Sequence, residues 1–345
     1  MSTVATDPGT VDPRTVDRLR RVLAPLGTLE HAERLTGGTF ATTYRARLAD
    51  GTRVVVKTAP TDATRLMTYE HDLVRTEARV YALAAGHPGV RTPALLATDL
   101  TRTVLPGDVV VAAHLPGVPW AEADLPPDDA RTARLRRELG AVMAHLHAVD
   151  GPAFGYLGAV EAAGGPADPP GTRLHGRTWP EAFGRVVGAI LADARAWDVT
   201  VPADAVRAAL AAHHDALAAV TRPVLVHGDL WPGNVFVDPA TGALTGVIDA
   251  ERALWADPLL ELVGADPWTL GPPSADVLAG YAGVAPLDTT SDAARTRMLL
   301  YRLHTALVLR VEGAPRGYAP EAVAWCRRTA ERTWAWAFDE LAALR

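Results

Sequence analysis

The 345 residues include one cysteine, one lysine, one asparagine and no glutamine. A lone Cys326 excludes an internal disulfide and a cysteine-rich metal site, and fits a reducing compartment. No apolar run reaches the roughly 18 residues of a membrane span, and Met1–Pro8 lacks the charged-then-apolar order of a secretory signal. The expectation is a cytoplasmic protein that does not engage a membrane. An excess of basic charge is missing too: 34 Lys and Arg against 40 Asp and Glu leave −6, with a pI near 6.0. Such a balance carries no footprint for nucleic acid. Apolar residues at 48% and charged residues at 21% are globular values. A chain this long exceeds one compact core, so two domains are expected.

Arginine supplies every basic charge except Lys57. That bias points to a GC-rich coding background, in which lysine and asparagine persist where a substitute fails. An ammonium on a flexible stem and a planar guanidinium are different tools. Lys57 and Asn234 are therefore candidates for positions that chemistry fixes.

Residues 1–12 read as loose, and Asp12-Pro13 reads as an N-cap opening a helix to about Ala24. The pattern is β-like from Leu29 to Ala59, with Ala49-Asp50-Gly51 as a hairpin turn before Arg53–Thr58. A helix is expected over Arg65–Ala85, then strands over Ala94–Leu100 and Asp108–Ala113. Beyond His114-Leu115-Pro116-Gly117 the chain reads as helical. Segments at Asp128–Val149, Trp179–Trp197, Pro202–Val220, Ala275–Tyr281, Ala293–Val311 and Pro320–Leu344 carry that pattern, and an irregular loop fills Gly151–Thr178. The expected architecture is α+β with two lobes: a small β-rich lobe over residues 1–115 and a larger helical lobe over 116–345.

Chemistry concentrates in Val224–Asp238. Asp229 and Asn234 have the Asp-x4-Asn spacing of a kinase catalytic loop. There the aspartate orients an attacking hydroxyl and accepts its proton, and the asparagine carbonyl binds Mg2+ on nucleotide phosphates. Val235-Phe-Val237 and Leu244-Thr-Gly-Val-Ile248 flank a turn at Asp238–Gly242, a hairpin that carries Asp249 back towards Asn234. No Gly-x4-Gly-Lys-Ser/Thr occurs, which excludes a Walker-type nucleotide site.

His227-Gly-Asp-Leu-Trp-Pro-Gly-Asn234, Val247-Ile-Asp-Ala-Glu-Arg252 and Asp257-Pro-Leu-Leu-Glu-Leu262 resemble the aminoglycoside phosphotransferase family. That family is related to protein kinases and phosphorylates small-molecule hydroxyls. The resemblance implies a protein-kinase-like fold, Asp229 as catalytic base, Asn234 and Asp249 as Mg2+ ligands, and His227 bracing the loop. It also places Lys57 on the nucleotide's α- and β-phosphates, oriented by a helix glutamate. Glu77 is the better match, with Glu70 the alternative. The nucleotide-covering loop would be Leu35–Tyr44, with Gly38 and Thr39 at the phosphates, and Ala113 and Leu115 would meet the purine edge. Two departures stand out. Trp231 occupies a position where many antibiotic kinases have histidine and fructosamine-kinase relatives also have tryptophan. Glu261 replaces the more usual aspartate.

The implied activity is ATP- or GTP-dependent transfer to an aminoglycoside or other antibiotic, in resistance or biosynthesis. A fructosamine, sugar or amino-alcohol kinase is the alternative within the fold, and an inactive nucleotide-binding regulator the alternative outside it. The segment Ala250-Glu-Arg252 in place of Phe-Gly argues against a protein kinase. Candidate acceptor contacts are Trp231, Glu251, Asp193, Trp268 and Tyr301, with Glu181, Trp197 and Asp266 also of suitable type. The expected partner is a small hydroxyl compound, and the expected state a monomer or weak dimer.

Overall fold

The computed structural model describes residues 11–36, 40–163 and 174–344. Asp12 caps helix α1 (Pro13–Leu23), accepting from the backbone N–H groups of Arg14 and Thr15, both at 3.0 Å. Five strands follow: β1 (Leu29–Leu35), β2 (Thr42–Leu48), β3 (Arg53–Thr58), β4 (Leu95–Asp99) and β5 (Val109–Ala113). They form one antiparallel sheet in the order β1-β2-β3-β5-β4. Side chains alternate across a strand, so β5 serves two cores. Val109 and Val111 face a small cluster with Leu19, Leu23 and Val54, while Val110 and Ala112 join the large core shared with the helical lobe.

Helix α2 covers Leu73–Ala84, eight residues short of the expected start at Arg65. The preceding residues form two single 3-10 turns, Ala63–Arg65 and Thr68–Glu70. Their polar groups bond to the helical lobe in place of continuing a helix. Thr68 donates to Asp193 from N–H at 2.9 Å and from hydroxyl at 2.6 Å, and Glu70 pairs with Arg316 at 2.5 Å.

The lobes join through β6 (Val118–Pro119), which pairs with a strand of the second lobe, β10 (Val235–Val237). Gly117 sits at φ +96°, and a Cβ there would overlap the carbonyl oxygen of Val237. Both the left-handed backbone and the close approach demand glycine. Gly117→Ala should destabilise the protein by more than about 1 kcal/mol, read as a lowered urea midpoint; an unchanged midpoint would remove this constraint.

Among the described residues the second lobe is mainly helical: α3 (Ala130–Leu146), α4 (Leu157–Ala162), α5 (Trp179–Ala196), α6 (Ala203–Ala212), α7 (His214–Ala218), α8 (Leu259–Ala265), α9 (Ala275–Ala282), α10 (Asp292–Arg316) and α11 (Pro320–Ala343). The stretch expected as one helix over Pro202–Val220 is thus divided into α6 and α7. Short strands occur where a loop was expected, β7 (Phe154–Tyr156) and β8 (His175–Gly176), and around the catalytic segment, β9 (Val224–Val226), β11 (Leu244–Val247) and β12 (Leu254–Ala256). The α+β, two-lobed expectation holds. No helix among the described residues is long and apolar enough to cross a membrane.

Candidate active site

Two pairs of short strands build the site. β9 pairs with β12, and β10 pairs with β11, both antiparallel. The two intervening segments, 227–234 and 248–253, are therefore held at both ends and face each other. Ile248 N–H donates to the Asn234 carbonyl at 2.9 Å, closing the expected hairpin and setting Asp249 beside Asn234. Asp249 itself adopts a left-handed backbone, φ 67°, ψ 43°. A non-glycine residue held there costs on the order of 1 kcal/mol or more, and such strain clusters at functional sites.

The loop carrying Asp229 is braced from beneath. Glu261 accepts from the N–H groups of His227 at 2.6 Å and Gly228 at 3.1 Å, and His227 Nε2 lies 3.0 Å from the Ile248 carbonyl. Exchange of the family's aspartate for Glu261 therefore keeps the brace. Asn234 Nδ2 donates to the Asp229 carbonyl at 2.8 Å and to Asp229 Oδ2 at 3.0 Å. With the amide nitrogen committed, the carbonyl oxygen is the end left for a ligand. Burial raises the Asp229 carboxyl above its ordinary pKa, partly opposed by the Arg252 cation.

From the other lobe, β3 delivers Lys57, in register with Thr43 of β2 and Val110 of β5. Its Nζ lies 2.8 Å from Glu77 Oε2 and 2.6 Å from Glu251 Oε2, and it also pairs with Asp249. Burial opposes the ammonium, yet Asp249, Glu251 and Glu77 outweigh it and hold the pKa well above the ordinary lysine value. Burial likewise disfavours the Asp249 carboxylate, but Lys57 wins and lowers its pKa. Glu251 goes the other way: burial and then the neighbouring Asp249 charge push it up to about 8. Glu77 is fixed in turn by Tyr81, whose hydroxyl donates to Oε1 at 2.6 Å. Glu70, committed to Arg316, is not the lysine's partner.

Lys57, Glu77, Asp229, Asn234, Asp249 and Glu251 all line one cavity of about 1150 Å³ between the lobes, as do Ala113, Leu115, Trp231 and Trp268. A smaller cavity of about 340 Å³, bordered by His71, Asp72 and Asp108, holds none of these residues. Gly38 and Thr39 lie outside the described residues. Two acceptor candidates are not brought to the cavity. Tyr301 is fully buried, donating to Asp257 at 2.7 Å and accepting from Trp179 Nε1 at 2.7 Å. Asp193 is spent on Thr68. Glu181, Trp197 and Asp266 also lie off it. Glu251, expected among acceptor contacts, belongs to the Lys57 cluster.

Sequence reading missed His304, Trp325 and the Arg252–Glu312–Arg316 network, all of which line the cavity. His304 has both ring nitrogens buried without a hydrogen-bond partner, and burial, aided by the Arg252 charge, lowers its pKa from 6.5 to about 4. Below pH 6.5 the unfolded chain takes up a proton that the folded chain refuses, so stability falls as pH drops from about 6.5 to about 4. His304→Phe should flatten this part of a melting-temperature profile; an unchanged slope would remove His304 as its source.

The sequence model of the phosphotransferase enzyme family matches residues 31–299. The chain belongs to that family. It is a phosphotransferase with an alcohol acceptor. Similar solved structures include a candidate fructosamine-3-kinase from Thermobifida fusca, at 24% identity over 90% of this chain and 97% of that one, with a TM-score of 0.63. The aminoglycoside phosphotransferase APH(4)-Ia, in ternary complex with AMP-PNP and hygromycin B, is 19% identical over 91% and 97%, TM-score 0.58. The macrolide 2'-phosphotransferase MphH from Brachybacterium faecium is 22% identical over 93% and 98%, TM-score 0.55. These likenesses establish the kinase-like two-lobed fold.

Proposed function

We propose that this phosphotransferase moves the γ-phosphate of ATP or GTP to a hydroxyl of a small molecule, an antibiotic or similar compound, with Mg2+ as cofactor. The observation that carries the reading is the meeting of Lys57, Glu77, Asp249, Asn234 and Asp229 in one interlobe cavity. Lys57, locked to Glu77, is placed to hold nucleotide phosphates. Leu115, at the cavity edge after β5, offers backbone to the purine; the Ala113 N–H is already bonded to the Ala94 carbonyl at 2.9 Å.

The donor set suits a hard divalent cation. Glu77, Asp249 and Glu251 bring carboxylate oxygens within 4.8 Å of one another, and the Asn234 carbonyl adds an amide oxygen, the ligand chemistry that magnesium prefers. Asn234 and Asp249 would hold the ion, with Glu251 beside them, and when bound it neutralises phosphate charge. Asp229 orients the acceptor hydroxyl and takes its proton, while the protein supplies positioning and electrostatic stabilisation. A fructosamine or other sugar kinase of the same mechanism is the second reading, favoured by Trp231 in the loop.

An ADP-release screen over antibiotics, nucleosides, sugars and amino alcohols, with ATP and with GTP, tests the reading. Absence of acceptor-dependent release across all classes would count against it. Asp249→Ala should abolish Mg2+-dependent binding of AMP-PNP in calorimetry; wild-type binding would remove Asp249 from the metal site.

A further inference from the structure

The cavity outside the Lys57 cluster is unlike a polycation site. Six carboxylates line the cavity among the described residues: Glu77, Glu122, Asp229, Asp249, Glu251 and Glu312. Glu77, Asp249 and Glu251 surround Lys57, and Asp229 is the proposed base. Glu312 is spent on two guanidiniums, Arg252 at 2.9 Å and Arg316 at 3.4 Å. Only Glu122 remains, exposed on the rim near the lobe linker. A substrate bearing several ammonium groups would meet Arg252 and Arg316 and would lose hydration without gaining partners, which is unfavourable.

The cavity is also rich in exposed aromatic surface. Trp231, Trp268 and Trp325 are 39%, 37% and 44% exposed, and all line this cavity. Trp268 and Trp325 form an edge-to-face pair with centroids 5.2 Å apart at 73°. Val308 and Leu309 of α10 extend the apolar wall. Tryptophan offers a large, rigid face together with one N–H donor, suited to ligands with both apolar and polar sides. The ring of His304 borders the same cavity, with both of its nitrogens buried.

We infer that the acceptor is an amphipathic alcohol, uncharged or singly charged, whose apolar face lies on Trp268 and Trp325 and one of whose hydroxyls faces Asp229. Polycationic amino sugars are disfavoured. The inference rests on the phosphotransferase reading above and narrows its substrate class. Trp268 and Trp325 are specificity-determining residues, and Asp229 remains the catalytic one.

The test is a titration, followed by tryptophan fluorescence, of the protein saturated with AMP-PNP and Mg2+. Its probes are octyl glucoside, erythromycin and other neutral or monocationic glycosides against kanamycin and hygromycin B. The expected result is binding of at least one amphipathic alcohol at least about tenfold tighter than either polycation. In Trp268→Ala and in Trp325→Ala that affinity should fall by about tenfold, with AMP-PNP affinity retained as the check on folding. Kanamycin or hygromycin B ranking first, failure of every amphipathic alcohol, or unaltered affinity in both variants would each overturn the inference. Failure of AMP-PNP itself to bind would instead strike the phosphotransferase reading.

Discussion

Asp229→Asn is expected to lower turnover by roughly 10²–10⁴-fold while nucleotide affinity stays near the wild-type value. The substitution keeps size and an acceptor oxygen for Asn234 Nδ2, which lies 3.0 Å from Asp229 Oδ2, and removes only the capacity to take a proton. Burial already lifts the Asp229 pKa, so the native carboxylate is a stronger base than an exposed aspartate. Steady-state kinetics with calorimetry of AMP-PNP would separate the two effects. Normal turnover would remove Asp229 from proton transfer, and a collapse of nucleotide binding would make it a structural residue.

A loss of similar size is expected for Lys57→Arg, although formal charge is unchanged. Nζ is enclosed by Glu77 and Glu251 at 2.8 and 2.6 Å together with Asp249, and the lysine side chain is only 13% exposed. A guanidinium is broader and cannot occupy that space without displacing a carboxylate. The phosphates would lose their point charge, at a cost of roughly 10²–10³ in kcat/KM, comparable to removal of one preorganised donor. Wild-type kinetics in this variant would show that Lys57 is incidental.

The catalytic segment was readable because its geometry is local. Asn234 and Asp249 flank the two ends of one short hairpin and Asp229 lies in the loop leading into it, so spacing and turn chemistry were enough to bring them together. Lys57 was readable by scarcity, the single lysine falling at the end of a valine-rich strand. Long-range partnerships were not. The start of α2 was misplaced because Thr68 and Glu70 bond to Asp193 and Arg316, groups more than a hundred residues away. Residue type also misled where direction mattered. Tyr301 and His304 share α10, yet Tyr301 turns into the core to bond Asp257, while His304 borders the cavity. Glu251 looked like a substrate contact by its acidity alone; its approach to Lys57 depends on the meeting of two lobes. Trp325 lies in a helix whose sequence gives no sign that one face of it borders the site.

On the proposed reading, these groups from both lobes converge on a metal-bound nucleotide. A crystal structure of the protein with AMP-PNP and Mg2+ tests it most directly. The expected result is phosphates against Lys57 Nζ, the metal on Asn234 and Asp249, and Asp229 facing open cavity beyond the γ-phosphate. A nucleotide seated elsewhere, or a metal held without Asn234 and Asp249, would contradict it.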